Sequence, residues 1–197
     1  MKNAFRSGPR ICFRPAEIEH SPIYQAWIND PENHQFLARF RPLNGIEERQ
    51  WLEKAHERKE EHLFEIALRE GERPIGLCSL RLGEQPHRSG EVGISIGDRE
   101  FQGKGYGAEA IGLLLDYGFL TLGLHRIQLF VYENNPRAIR CYEKCGFRRE
   151  GIRREARWWA GRWWDILEYG ILEHEWPACA PENELRRASL SPRNAAT

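Results

Sequence analysis

The sequence predicts a mixed α+β fold around one sheet, on the basis of three observations. Residues 63–68 and 74–82 alternate apolar and polar side chains, and a short turn separates them, so they predict an early hairpin. Residues 91–96 and 125–132 are strand-like, and a helical pattern follows each of them. Hairpins followed by strand–helix–strand units are typical of one sheet covered by helices.

Composition limits the class of protein. A chain of 197 residues suffices for one domain. Basic and acidic residues number 29 each, so the net charge gives no indication of nucleic-acid binding. No apolar run approaches the ~20 residues of a membrane helix, and residues 1–14 lack an apolar segment, so no signal peptide is expected. The five cysteines form no paired framework, which favours a reducing, cytoplasmic location.

The first third of the chain predicts one strand and two helices. Residues 1–9 are polar and are expected to be a flexible start, and residues 11–15 predict a strand that a proline ends. Helical spacing follows at residues 18–28 and again at residues 46–59. Asn44 is a candidate cap for the second helix, whose acidic residues are expected on its exposed face.

The remaining elements follow in order. A glycine-rich loop leads into an amphipathic helix over residues 108–122. A short helix at residues 135–145 has Pro136 at its first position and ends before Gly146. Two strands, residues 147–159 and 163–172, are joined by a tight turn. Residues 177–197 are polar and are expected to be a disordered tail, which leaves residues 10–176 as the domain.

The glycine-rich loop is the most informative local motif. It reads Gln102, Gly103, Lys104, Gly105, Tyr106, Gly107 and Ala108. Glycines permit left-handed backbone and close approach of a ligand, and a helix N-terminus carries about half a positive charge. The loop therefore predicts a diphosphate site. Its spacing is neither the Gly-x-Gly-x-x-Gly of dinucleotide folds nor a Walker loop, which needs a Lys-Ser/Thr pair after the glycines.

Two motifs in order resemble the Gcn5-related N-acetyltransferase (GNAT) superfamily. The first is Gln/Arg-x-x-Gly-x-Gly/Ala, present at residues 102–107. The second is Asn-x-x-Ala-x-x-x-Tyr-x-x-x-Gly-Phe, carried by Asn135, Ala138, Tyr142, Gly146 and Phe147. The final strand pair is similar to that of ribosomal-protein N-terminal acetyltransferases and spermidine acetyltransferases. The resemblance covers about residues 11–176 and is strongest from residue 91 onward.

This resemblance implies a single domain with a central, mostly antiparallel, twisted sheet of about seven strands, splayed in the middle and flanked by about four helices. It also implies that acetyl-CoA is the cosubstrate. The loop N–H groups would hold its pyrophosphate, and the strand at residues 94–97 would pair with its pantetheine arm. The implied cofactor-binding residues are Ile96, Gly97, Gln102, Gly103, Lys104, Gly105, Tyr106, Gly107, Ala108, Asn135, Arg137, Ala138 and Tyr142.

Acetyl transfer requires a neutral amine and an acid for the departing thiolate. Tyr142 is the candidate acid, and the alternative is that its ring only packs between helix and sheet. Glu91 is a candidate base and Ser95 a candidate contact for water or amine, although each also suits a purely structural role. Cys141 and Cys145 lie one helical turn apart without further ligands nearby, so no metal is expected.

The sequence does not identify the amine that accepts the acetyl group. A protein N-terminal amine is favoured through the resemblance, and polyamines or small amines are alternatives. A non-catalytic acyl-CoA sensor is a third possibility. Four tryptophans, Trp158, Trp159, Trp163 and Trp164, predict core or homodimer packing, or an aromatic wall over the amine. Neither a membrane nor a nucleic acid is expected as a partner.

Overall fold

One eight-stranded sheet forms the centre of the molecule in the computed structural model, which describes residues 3–176. In chain order the strands are β1 (Arg6–Ser7), β2 (Ile11–Arg14), β3 (Glu61–Leu68), β4 (Pro74–Leu82), β5 (Ser89–Ile96), β6 (Arg126–Tyr132), β7 (Arg148–Trp159) and β8 (Arg162–Leu172). Their order across the sheet is β1-β2-β3-β4-β5-β6-β8-β7. The predicted α+β class is confirmed, with one strand more than expected.

The additional strand is β1, which pairs with β2 through Arg6–Phe13 and Ser7–Cys12. Phe5 stacks on Phe64 with ring centroids 5.3 Å apart. The domain boundary expected at residue 10 therefore falls inside a hairpin, and residues 3–9, expected to be flexible, belong to the sheet edge. The predicted tail at residues 177–197 lies outside the described residues.

Five α-helices occur in the described part of the chain, against about four expected. They are α1 (Ser21–Asn29), α2 (Pro31–His34), α3 (Gly45–Glu53), α4 (Tyr106–Asp116) and α5 (Pro136–Lys144). The additional helix α2 starts at the proline expected to break the preceding helix, because Asp30 accepts a hydrogen bond from the Glu32 N–H and caps it. Asn44 caps α3 as predicted, and Glu47 completes a capping box.

Two helix ends differ from the prediction. The helix predicted over residues 46–59 ends at Glu53, and that predicted over residues 108–122 is α4 followed by a π-helical turn, Tyr117–Thr121. Glu48 is buried, although it was expected on an exposed face, and burial raises the pKa of its carboxyl. None of the helices in residues 3–176 has the length and apolar character to cross a membrane.

The expected splay in the sheet is confirmed between β5 and β6. All neighbouring strands are antiparallel except this pair, which is parallel. Its pairing is limited to Ser89–Arg126, Gly90–Ile127 and Glu91–Gln128. Beyond this point the two strands diverge, while β5 stays paired to β4 as far as Ile96 and β6 to β8 as far as Tyr132. A gap therefore opens in the middle of the sheet.

Different helices cover the two faces of the sheet. Side chains of a strand alternate between faces. One set, which includes Ile66, Leu80 and Ile127, forms the buried core with Ile111 and Leu114 of α4. The other face of β3 carries Glu65, which α1 covers. The gap between β5 and β6 thus separates an α4–α5 face from an α1 face.

Candidate active site

The glycine loop has the conformation that its sequence predicts. Gly103 and Gly105 have φ of 72° and 86°, in the left-handed region that side chains with a Cβ avoid. Gly105 is the N-cap of α4, and Tyr106 begins the helix. A Cβ added at Gly103 would meet no described atom within 4 Å. The loop surface is therefore open beside the N–H groups of the first helical turn, which suits an anion.

Arg10 braces this loop from the edge of the sheet. Its Nη1 donates to the Lys104 carbonyl at 3.0 Å, and its Nε donates to Glu109 Oε2 at 2.9 Å. Its guanidinium lies 4.3 Å from the centroid of the Tyr106 ring. Because Arg10 pairs with Glu109, the only acidic residue of the first turn of α4 does not leave an uncompensated negative charge beside the expected anion site. The sequence analysis missed Arg10, which is 94 residues before Lys104.

Gln102 joins three elements through its amide. Nε2 donates to the Ile96 carbonyl and to Asn33 Oδ1, both at 2.7 Å. Oε1 accepts from Arg137 Nη1 at 2.8 Å. Arg137 is one of the implied cofactor-binding residues, and in the structure it donates to Gln102 from the exposed start of α5. The Lys104 side chain is exposed and lies 5.9 Å from the Phe101 ring centroid.

The open edge of β5 presents backbone groups to the gap. The Gly83 N–H donates to the Ser89 carbonyl at 2.8 Å, so Ser89 points its backbone groups toward β4. Since these groups alternate along a strand, Val92, Ile94 and Ile96 direct theirs toward the gap. The Ile96 carbonyl already accepts from Gln102. Free N–H groups of Ile94 and Ile96 therefore lie where the resemblance places the pantetheine arm, and the Gly97 carbonyl is taken by Asn33 Nδ2 at 2.8 Å.

The helix α5 places Tyr142 in the core on the α4 face of the sheet. Asn135 caps this helix by accepting from the Ala138 N–H at 3.1 Å, so its side chain fixes the turn. Tyr142 is buried in the core, with its ring centroid 6.1 Å from that of Phe147. Burial, with smaller contributions from Cys141 and Cys145, raises the pKa of the Tyr142 phenol well above its ordinary value. The phenol is therefore a protonated donor at neutral pH.

The loop and α5 meet beside Gly107. A Cβ at Gly107 would lie 3.8 Å from Cys141 Sγ and 3.9 Å from Ile96 Cγ1. Ala108 and Ala138 pack against the core from the two helices. Cys145 Sγ is 3.8 Å from the Ala108 carbonyl, as expected for a small apolar residue of a helix. Residues 3–176 contain no group of three or more His, Cys, Asp or Glu side chains placed to hold a metal.

A small cavity of about 40 Å³ lies on the opposite, α1 face of the gap. Its lining residues are Tyr24, Trp27, Ile28, Leu37, Leu77, Ser95 and Gly97. Gly97 has no side chain because a Cβ there would overlap the Trp27 ring. Ser95 thus faces a largely apolar recess formed by α1, the segment after α2 and the strands β4 and β5.

A buried ionic cluster holds the α1 wall of this cavity. Glu65 is fully buried and accepts hydrogen bonds from Arg14 Nε and, at 2.5 Å, from the Tyr24 hydroxyl. His20 Nδ1 lies 2.6 Å from the same carboxylate. Burial and the Glu65 contact raise the pKa of the Tyr24 phenol above its ordinary value, so Tyr24 remains neutral. Glu65 therefore ties the cavity wall to β3.

The candidate base Glu91 and the candidate water or amine contact Ser95 occupy different places on β5. Glu91 is half-buried at the last position of β5 that pairs with β6, opposite Gln128. Ser95 is four residues further, which is roughly 13 Å along a strand at 3.3 Å per residue. Both side chains point to the α1 face, but they are too far apart to contact one nitrogen together. The structure brings only Ser95 into the cavity.

Arg157 of β7 is a further buried polar residue, which the sequence analysis did not single out. It is 4% exposed, and its guanidinium lies 3.6 Å from the centroid of the Tyr132 ring. Its Nη2 donates to the Leu37 carbonyl at 3.2 Å. Its Nε and Nη1 have no hydrogen-bond partner among the described residues, and the same holds for Oδ1 of Asn134, just after β6.

The tryptophan cluster divides between surface and interior. Trp158 and Trp163 are 51% and 53% exposed, and their rings meet edge to face. Trp159 and Trp164 are half-buried, and Trp164 Nε1 donates to the Trp159 carbonyl at 3.2 Å. The first pair therefore does not belong to the core of this chain, and the aromatic wall over the amine stays a prediction. The homodimer that they suggested stays a prediction.

Comparisons with known proteins agree with this geometry. Residues 10–148 match the family model of the acetyltransferase (GNAT) domain. A spermidine N(1)-acetyltransferase of Vibrio cholerae is 38% identical over 102 residues, 52% of this chain and 58% of that protein. A putative ribosomal N-acetyltransferase of Bacillus subtilis, YdaF, is 33% identical over 101 residues, 51% of this chain and 55% of its own.

A solved structure is similar over most of the chain. It is that of spermidine N-acetyltransferase from Vibrio cholerae in complex with CoA and spermine, at 29% identity and a TM-score of 0.78. The similarity covers 86% of this chain and 99% of that one. Together with the glycine loop, the open strand and the capped helix of Tyr142, the family match shows that the chain belongs to the GNAT acetyltransferases and is an N-acetyltransferase.

Proposed function

We propose that this protein transfers the acetyl group of acetyl-CoA to a primary amine in the gap between β5 and β6. The observation that carries the proposal is the open edge of β5 at Val92 and Ile94, next to the glycine loop. An unpaired strand edge in the middle of a sheet leaves backbone groups without partners, and a ligand with amide groups supplies them.

The described residues fit acetyl-CoA as the cosubstrate. The N–H groups of residues 103–108 suit the pyrophosphate, because the loop surface is open and Arg10 neutralises the negative charge of Glu109 beside it. Backbone groups of Val92 and Ile94 suit the amides of the pantetheine arm. When bound, the cosubstrate supplies an activated acetyl thioester. We infer that the N–H of Ile94 or Ile96 is directed at the carbonyl oxygen of the acetyl thioester, because these N–H groups face the gap and that of Ser95 faces β4.

The two faces of the gap have different roles in the proposed reaction. Tyr142, on the α4 face, holds a proton on its phenol oxygen and is our candidate acid for the departing thiolate. The cavity at Ser95 and Trp27, on the α1 face, is the candidate entrance for the amine. Trp27 and Leu37 exclude water from this side, which limits hydrolysis.

We favour the N-terminal amine of a protein or peptide as the acceptor. An α-amine has a pKa of ~8, so a useful fraction is neutral near pH 7.4 without a strong base. The cavity supports this choice because its lining residues include no carboxylate that could bind a second cation of a polyamine. A polyamine is the second candidate, since the similar Vibrio cholerae enzyme was crystallised with spermine.

The test is release of CoA thiol from acetyl-CoA in the presence of one amine at a time. Peptides with a free N-terminus, spermidine and lysine form the panel, and an amine-free reaction is the control. We expect release with an amine above the amine-free rate, and highest with peptides. Binding of acetyl-CoA without amine-dependent release would contradict transfer and support a sensor instead.

A further inference from the structure

Arg157 occupies the acceptor side of the gap. Tyr132, on which it stacks, is the last residue of β6, at the end where β5 and β6 have diverged. Phe130 and Tyr132 alternate with Leu129 and Val131, which face the core, so they point to the opposite, α1 face. The guanidinium therefore lies on the same face as Ser95.

The contact to Leu37 connects Arg157 with the cavity. Leu37 lines the cavity beside Ser95 and Gly97, and its carbonyl is the one protein acceptor that Arg157 uses in residues 3–176. A bulge between Arg153 and Arg157 interrupts the β7–β8 ladder just before this residue. Bulges next to active sites re-aim side chains, and here the only buried residue of β7 follows one.

The charge of Arg157 lacks compensation from the protein. Nε and Nη1 are buried without an acceptor, and no Asp or Glu of the described residues contributes to its titration. Burial lowers the pKa of the guanidinium below its ordinary value, although an arginine keeps its proton. Leaving a charged donor buried and unpaired costs several kcal/mol, so such groups normally meet an anion.

On the basis of the proposed acetyl transfer, we infer that Arg157 binds a carboxylate of the acceptor, so that the substrate is an amine bearing a carboxylate and not a polyamine. The guanidinium is planar and presents several N–H donors, which suits carboxylate oxygens. A polyamine would instead bring further positive charge beside a buried cation that no carboxylate of the described residues neutralises. Arg157 is thus a specificity-determining residue.

The experiment compares acceptors that differ by one carboxylate, and each rate is expressed per concentration of neutral amine, because a carboxylate also raises the pKa of a neighbouring amine. One arm uses a peptide amide with Glu as its second residue against the same peptide amide with Gln, and a second arm uses serine against serinamide. Spermidine is the third acceptor. Thiol release gives kcat/KM for the wild type, for Arg157→Met, which preserves length without donors, and for Arg154→Met, an exposed arginine of the same strand.

We expect the wild type to prefer the carboxylate-bearing member of at least one arm by about 10- to 100-fold, the range of a charge-assisted hydrogen bond. A preference in the peptide arm would indicate a side-chain carboxylate, and a preference in the serine arm would indicate an α-carboxylate. Arg157→Met should reduce the preference to near unity, and Arg154→Met should retain it. Equal rates within both arms, or a wild-type preference for spermidine, would overturn the inference.

Calorimetry separates this inference from the proposed function. The same acceptors are titrated into protein with and without CoA, which has no acetyl group to transfer. Tighter binding of the carboxylate-bearing member, lost in Arg157→Met, would support the role of Arg157 even if no amine released thiol. Absence of release from every amine would count against acetyl transfer, and absence of any charge preference in binding would count against Arg157.

Discussion

The two sides of the central gap are built in different ways. The α4–α5 side uses short segments and backbone groups, namely the glycine loop, the cap of α5 and the edge of β5. The α1 side is assembled from distant parts of the chain, such as Leu37 and Arg157, which are 120 residues apart. The α4–α5 side suits the cosubstrate acetyl-CoA, which many acetyltransferases share. The α1 side suits the acceptor amine, which differs from one acetyltransferase to another.

The largest effect should be on stability, when the buried Glu65 cluster that holds α1 against the sheet is removed. Glu65→Ala leaves Arg14 without its fully buried partner and the Tyr24 hydroxyl without its acceptor. We expect a loss of about 3–5 kcal/mol in the free energy of unfolding, measured by urea denaturation. Glu72→Ala removes a more exposed carboxylate 3.8 Å from the same arginine and should cost about 1 kcal/mol or less. Equal losses would show that Glu65 is not the support.

The next effect concerns catalysis on the α4–α5 side. Tyr142→Phe removes the proposed acid and keeps the ring, so kcat should fall about 100-fold while acetyl-CoA affinity is retained. Steady-state rates and calorimetric titration with CoA measure the two quantities. Tyr169→Phe, a buried tyrosine that donates to Glu143 of the same helix at 2.9 Å, is the control and should keep its kcat. Parallel loss of rate and affinity in Tyr142→Phe would contradict the acid role.

The glycine loop gives a third comparison. Gly105→Val puts a branched side chain at φ of 86° beside the expected pyrophosphate, and acetyl-CoA affinity should fall more than tenfold. Gly71→Val introduces the same kind of strain at φ of 74° in the turn between β3 and β4. Both variants should lose stability, and only Gly105→Val should lose affinity. Unchanged affinity in that variant would remove the loop from the site.

The smallest effect separates the acceptor classes by pH. For an α-amine of pKa ~8, kcat/KM should rise about tenfold from pH 7 to 9 and then level off. A polyamine or lysine amine, with pKa near 10.4, would instead give a rise of about 100-fold over the same interval. Because burial raises the pKa of Tyr142 above its ordinary value of about 10, the phenol stays protonated, and no falling limb should appear below that pH.

The sequence predicted the α4–α5 side of the gap better than the α1 side. The glycine loop at residues 102–108 and the short helix that starts at Pro136 depend on neighbours within a few residues, and both formed as expected. The brace of Arg10 and the burial of Glu48 and Arg157 depend on pairings between remote segments. Arg157 stands in a run of exposed arginines, so no local pattern distinguishes it before the bulge and Tyr132 are known.

The most direct measurement is a joint one of product and thiol. Wild-type protein is mixed with acetyl-CoA and a peptide with a free N-terminus, and acetylated peptide and CoA thiol are quantified together by mass spectrometry and thiol titration. Our account predicts equal amounts of both, with the acetyl group on the N-terminal nitrogen. Thiol without acetylated peptide, or acetyl-CoA binding without either product, would contradict transfer across the gap between β5 and β6.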